Sequence, residues 1–167
     1  MLTAASWFLW FIAYSFAGWA YETALFTIVL SHWTNRGFLH APLCPIYGTA
    51  AMAAIAILYG RVKNIALLFL AGAFLATVLE YITSVVLELL FDARWWDYSS
   101  RSFNIHGRVC LLGAVIFGTM VVVLVRFIHP QVEKLTARIP GKAKVILAIG
   151  IAGGIVLDFI MTASNLR

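Results

Sequence analysis

The chain has 167 residues and a net charge of +5; 63% of its residues are hydrophobic and only 11% are charged, and its mean hydropathy is +0.94. A soluble domain carries roughly twice that share of charge, so the composition excludes a water-soluble globule and points to lipid as the solvent. The basic residues fall in short gaps between apolar runs, where they read as topology and headgroup signals rather than as a nucleic-acid face.

In chain order, five stretches approach the ~20 apolar residues that a helix needs to cross a ~30 Å hydrocarbon core. They are Ala4–Leu30, Pro45–Tyr59, Ile65–Phe91, Val109–Ile128 and Val145–Ala163. The expected fold is an all-α polytopic bundle of about five transmembrane helices, a single integral-membrane domain over residues 1–167. The first run has no basic n-region and outlasts the ~7–15 apolar residues of a signal peptide, so it reads as a retained helix. The second starts among prolines and needs Leu43 and Cys44 to gain length. The first and third are long enough to tilt.

The connections carry the polar chemistry. With the N-terminus cytoplasmic, Arg61, Lys63, Arg126, Lys134, Arg138, Lys142 and Lys144 lie inside, against Arg36, Arg94, Arg101, Arg108 and Arg167 outside, a weak positive-inside bias. Either way, five spans put loop 1 (Ser31–Pro42) and loop 3 (Asp92–Arg108) on one face, with motif segments 31–48 and 92–108. The basic stretch 129–144 falls on the other face. From Pro130 it reads as a short amphipathic helix on the membrane surface, with partner docking as the alternative.

Two segments repeat. Arg36-Gly-Phe-Leu-His-Ala-Pro-Leu-Cys-Pro-Ile-Tyr-Gly48 and Arg101-Ser-Phe-Asn-Ile-His-Gly-Arg-Val-Cys-Leu-Leu-Gly113 share Arg, Phe, His, Cys and Gly in order, with His four residues before Cys in both. Each follows a helix that carries a glutamate. Helices 1–2 and 3–4 therefore form a possible parallel repeat about an axis along the membrane normal.

Four of the seven acids, Glu22, Glu80, Glu88 and Asp158, fall inside these spans. A charge at mid-bilayer costs ~2.5–3.5 kcal/mol even on the lenient insertion scale, so such a residue faces the bundle interior or water. Glu22 and Glu80 are the functional candidates; Glu88 and Asp158, nearer the interface, lean to packing. Thr77, Glu80 and Ser84 make a polar stripe on one helix face. Acids below and arginines above indicate a polar cavity under loops 1 and 3, with Glu22, Arg36, Tyr47, Glu80, Trp96, Asp97, Tyr98, Asn104 and Arg108 as its lining candidates. Asp97 beside arginines could form an ion pair that closes a lid or holds a headgroup. Asn104, Gly107 and Arg108 sit where helix 4 is expected to begin, and backbone N–H groups there could receive an anion. An N-cap and an interfacial arginine are the plain equivalents.

His40/Cys44 and His106/Cys110 make a formal two-His, two-Cys zinc set, but without the clustered spacing of structural zinc sites. A Cys44–Cys110 disulfide is a second option. Two free thiols among apolar side chains are favoured, and no metal or other cofactor is expected.

Tyr14-Ser-Phe-Ala-Gly-Trp-Ala-Tyr-Glu22, Arg36-Gly-Phe38 with Pro42-Leu-Cys-Pro-Ile-Tyr-Gly48, Leu79-Glu-Tyr81 and Trp96-Asp-Tyr-Ser99 with Phe103-Asn-Ile-His-Gly-Arg-Val-Cys-Leu111 resemble the CmpB-type family of small bacterial membrane proteins, regarded as ABC-transporter permeases. The resemblance spans about Phe8 to Phe117. It departs from the family pattern at His40-Ala41, because the family pattern has a glycine before this proline where this chain has Ala41, which weakens a zinc role for His40. It implies a transport component of the bacterial inner membrane. No Gly-x-x-x-x-Gly-Lys-Ser/Thr loop is present, so ATP hydrolysis would fall to a separate ATPase subunit, docked at the basic face.

Three functions compete at this point. A permease-like transport component for a small solute, ion or lipid fits the cavity; with so few spans it implies a homo-oligomer or a partner subunit. A membrane enzyme acting on a lipid or isoprenoid would use Glu22 or Glu80 as base and arginines for an anionic headgroup, though no catalytic signature supports it. A non-catalytic scaffold or assembly factor would use the acids only for packing.

Overall fold

A computed structural model describes residues 3–35, 37 and 39–164. The chain is almost wholly helical: α1 (Ala4–Leu30), α2 (Pro45–Leu58), α3 (Ile65–Phe91), α4 (Leu111–Val123), a π-helical turn (Leu124–Ile128), α5 (His129–Ala137) and α6 (Gly141–Ser164). A two-residue antiparallel pair, β1 (Asn104–Ile105) with β2 (Val109–Cys110), interrupts the segment before α4.

The all-α reading holds, but the number of spans is corrected. Among the described residues, three helices are long and apolar enough to cross a membrane: Ile65–Phe91, Leu111–Ala137 and Gly141–Thr162. α1 has 27 residues, yet Ser6, Tyr14, Ser15 and Thr23 dilute its hydropathy, and all four are buried against the protein rather than offered to lipid. α2 has only 14 residues, about 21 Å of helix, short of the hydrocarbon thickness.

The fourth helix is also revised at both ends. It begins at Leu111, two residues later than expected, because Val109 and Cys110 pair as a strand. It does not stop at Ile128; the π turn carries it into α5. The connection expected over 129–144 thus shrinks to residues 138–140 between α5 and α6.

The chain divides into two compact units, residues 1–52 with 132–167, and residues 53–131. In the first, α1 and α2 approach closely: the Tyr47 ring occupies the space a side chain at Gly18 would need, and Ser15 that at Gly48. The backbone N–H of Cys44 donates to the Ser15 carbonyl (3.0 Å), and the Trp10 indole donates to Thr136 Oγ1 (2.9 Å). In the second, α3 packs on α4 through small residues. Gly72, Ala76 and Ser84 lie on the buried face of α3, and a Cβ at Gly72 would come within 2.6 Å of Val121. Small residues let helix backbones approach where lipid gives no hydrophobic drive. Ala54, Leu58, Leu68, Val121 and Val125 form the apolar cluster of this unit. Arg126 closes its end, donating to the carbonyls of Val62 (3.1 Å) and Lys63. Buried His129 meets Tyr59 edge-on, ring centroids 4.6 Å apart.

Candidate functional site

Each unit holds one helix carboxylate fixed by a tyrosine hydroxyl. In the first unit, α1 carries Glu22 and the first turn of α2 carries Tyr47, whose hydroxyl donates to Glu22 Oε1 at 3.0 Å. The buried Cys44 thiol lies 3.9 Å from the other carboxylate oxygen. Gly18 allows this, since any larger residue there would collide with the Tyr47 ring.

In the second unit, α3 carries Glu80, only 6% exposed, and the Tyr98 hydroxyl donates to its Oε1 at 3.1 Å. Gly113 leaves room beside it: a Cβ there would sit 3.7 Å from Cys110 Sγ and 4.0 Å from Glu80 Oε2. A carboxylate, a tyrosine and a buried cysteine thus recur in both units. The tyrosines are not equivalent in the sequence repeat, because Tyr47 follows its cysteine while Tyr98 precedes its own.

Loop 3 reaches Glu80 because it is stapled to itself. The Tyr98 N–H donates to the Gly107 carbonyl (2.7 Å). Asn104 Nδ2 donates to the Arg101 carbonyl (2.8 Å), and its Oδ1 accepts from the Gly107 N–H (3.0 Å). The Trp96 indole donates to the Arg108 carbonyl (2.9 Å). Gly107 has φ +68°, and a Cβ there would crowd Ser99 and lie 2.6 Å from Asp97 Oδ1, so only glycine fits this turn. Asp97 Oδ1 accepts from the Ser99 hydroxyl (2.6 Å) and N–H (2.9 Å). These two bonds, the hydroxyl first, hold its carboxyl below its usual range against the opposing effect of desolvation, and Arg94 adds a smaller push.

Arg108 turns back onto α3, donating to Ser84 Oγ (3.0 Å) and to Glu88, with its guanidinium 5.9 Å from the Tyr81 ring centre. Arg94 donates to the other Glu88 oxygen at 3.1 Å. Loop 1 is tied to α6 in a similar way: His40 Nδ1 lies 3.2 Å from Asp158 Oδ1, and the Ala41 N–H donates to Oδ2 at 2.9 Å.

The structure therefore brings Glu22 with Tyr47, and Glu80 with Tyr98; Trp96, Asp97 and Asn104 build the loop that delivers Tyr98. Arg108 is spent on Glu88 and Ser84. Arg36 lies outside the described residues, as does Phe38 of the repeat. Two expectations change. Asp97 closes a turn on Ser99, and among the described residues it has no ion pair. The N–H groups of Gly107 and Arg108 are taken by Asn104 and by the Ile105 carbonyl, because a hairpin stands where a helix start was expected, so they do not receive an anion. The cap of α4 is Cys110, whose sulfur accepts from the Gly113 N–H. Sequence reasoning did not foresee the Ser84–Arg108–Glu88–Arg94 cluster. Its available signal was Glu88 one turn ahead of an arginine-rich loop.

Both cysteines are buried, and neither forms a disulfide. Among the described residues no group of three or more His, Cys, Asp and Glu is placed to hold a metal.

No curated protein and no solved structure matches the chain. One family model does, over residues 9–163, nearly the full length. With that match and its three long apolar helices, the chain belongs to the membrane-protein family described as "Putative ABC-transporter type IV".

Proposed function

We propose that the chain is a permease-like subunit of a membrane transport system for a small solute, ion or lipid, working as a single membrane domain. The observation that carries this reading is the pair of helix carboxylates, Glu22 and Glu80, each held by a tyrosine. A tyrosine hydroxyl orients a carboxylate without cancelling its charge, unlike the two arginines at Glu88. Glu80 lies inside the span Ile65–Phe91, and an oriented acid there is the device by which membrane proteins pass ions, protons or polar groups. Loop 3, with Trp96, Asp97 and Asn104, would frame the mouth of the path at Glu80. The family supports a partner that hydrolyses ATP. α6 supports a further contact in the membrane: Gly150, Gly153 and Gly154 have nothing near them, and only 6% of its apolar window is buried, leaving a face for a second copy or a partner helix. The proposed setting is the bacterial inner membrane, N-terminus in the cytoplasm.

The test is to purify the tagged full chain from its native membranes in mild detergent and measure ATP hydrolysis in the eluate. An ATP-binding subunit co-eluting with ATPase activity that Glu80→Gln and Glu22→Gln alter is the expected result. A chain that elutes without ATPase activity, and whose deletion leaves cellular lipid and solute content unchanged, would sink the reading.

The scaffold alternative keeps one specific support. Glu88 and Asp158 are closed off by Arg94, Arg108 and His40, as packing devices would be. If both glutamine variants match the wild type while Arg108→Met abolishes folding, the scaffold reading replaces transport.

A further inference from the structure

The first unit has a cleft of about 600 Å³ at the start of α1, the opposite end of that helix from loop 1. Its wall includes Ser6, Trp10, Thr136, Arg138 and Lys144, with Glu133 as the acid among them. The volume falls in the ~300–1,000 Å³ range of small-molecule sites.

Two independent features give the cleft a preference for anions. The first is the N-terminus of α6, a 24-residue helix with no acidic residue in its first turn; Pro140 and Gly141 line the cleft, so the positive end of the helix dipole faces it. The second is Lys144, one turn in. It is only 8% exposed, it lines the cleft, and among the described residues its ammonium has no hydrogen-bond or ion-pair partner. A lysine at the end of a membrane helix ordinarily extends its ammonium to water, as the exposed Lys142 is free to do. Lys144 is instead folded against the cleft wall, so an anion in the cleft would meet its ammonium in a partly desolvated setting. Arg138 adds a second cation, so Glu133 reduces the positive charge of the wall without cancelling it. The Thr3 and Ser6 hydroxyls lie 3.3 Å apart at the α1 side, and the Trp10 ring, pinned by its bond to Thr136, supplies an apolar floor.

We propose that this cleft binds the phosphate group of an anionic ligand, with Lys144 and the α6 N-terminus as its anion-holding groups. The same phosphate chemistry is offered by the headgroup of an anionic phospholipid and by free phosphate. The site uses neither Glu22 nor Glu80, so its fate is separate from that of the transport reading.

The test uses the purified full chain in detergent with three probes: dioleoyl phosphatidylglycerol, dioleoyl phosphatidylcholine and inorganic phosphate. Binding is read by native mass spectrometry for the lipids and by calorimetry for phosphate. In parallel, acylation of Lys144 by an amine-reactive ester is followed by peptide mapping of the wild-type chain, which needs no variant to fold. The expected result is slowed labelling of Lys144, but not of Lys142, by phosphatidylglycerol or by phosphate. Lys144→Gln should weaken binding about tenfold, about 1.4 kcal/mol, while Lys144→Arg keeps most of it and Lys142→Gln changes little. Protection by the lipid alone assigns a headgroup site, and protection by phosphate alone assigns a soluble anion; both uphold the proposal. Equal protection by phosphatidylcholine, an equal loss in Lys142→Gln, or no protection by any probe would overturn it.

Discussion

Glu80 and Glu88 lie about two turns apart on α3, yet their surroundings differ in kind. Glu88 sits between two guanidinium groups, while Glu80 is nearly sealed and takes a neutral phenol hydroxyl. That contrast was half legible: the depth of each acid follows from helix length, but the identity of its partner depends on how loop 3 folds. The loop passes through left-handed backbone at Phe103 and His106, φ 54° at each, and residues other than glycine give no sequence signal for that conformation. Asp97 offers a test at this scale. Its carboxyl titrates below the ordinary aspartate value of about 3.9, because the folded state holds the ionised form. The Asp97–Ser99 turn is therefore fully supported at pH values above that value, and its support is lost as pH falls through the lower folded-state pKa. Amide exchange at Ser99, referenced to unfolded-state rates, should lose protection below about pH 4 in the wild type. Asp97→Asn should show weaker protection at neutral pH and no such acid step. A wild-type profile that stays flat into strong acid would contradict this.

At the level of elements, the helices were readable, α2 to within one residue and α5 from Pro130, whereas the two-residue strands were not. The bounds expected for α1 and α3, Ala4–Leu30 and Ile65–Phe91, are the bounds observed, because sustained apolar length with Ser31 and Asn64 beside them leaves little freedom. The β1–β2 pair has two residues per strand, too few for a period to register. The continuation of α4 through the π turn was hidden by His129-Pro130, which reads as a boundary. Packing of α3 on α4 depends on small side chains. Gly72→Val would push two methyl groups into Val121, and overpacking of this kind costs about 1–3 kcal/mol. The variant should unfold at correspondingly lower denaturant in detergent, whereas Gly60→Val, at a turn with open space around it, should reveal only local strain. Equal stability of Gly72→Val and wild type would mean that the two helices are not held at this point.

For the whole chain, composition settled the solvent but overcounted the crossings. Mean hydropathy cannot tell a serine that faces lipid from one that faces a neighbouring helix, and α1 hides Ser6 and Ser15 within the protein. The π turn bears on the whole chain because everything after it inherits its phase. An α-helix advances about 100° per residue, and a π turn accommodates one residue more in each hydrogen-bonded ring. Val121, Val125 and His129 are all buried, although strict α geometry would let residues four apart drift steadily round the helix. The wider turn winds that drift back and returns His129 to the buried side, beside Tyr59. Removing one residue from Leu124–Ile128 would let the turn relax to α geometry with little change of phase, so His129 would stay on its buried side. Such a deletion should leave the imidazole shielded from diethylpyrocarbonate; a clear rise in its reactivity would refute the phase argument. The turn is thus a rotational gear: the one extra residue it absorbs keeps His129 facing Tyr59.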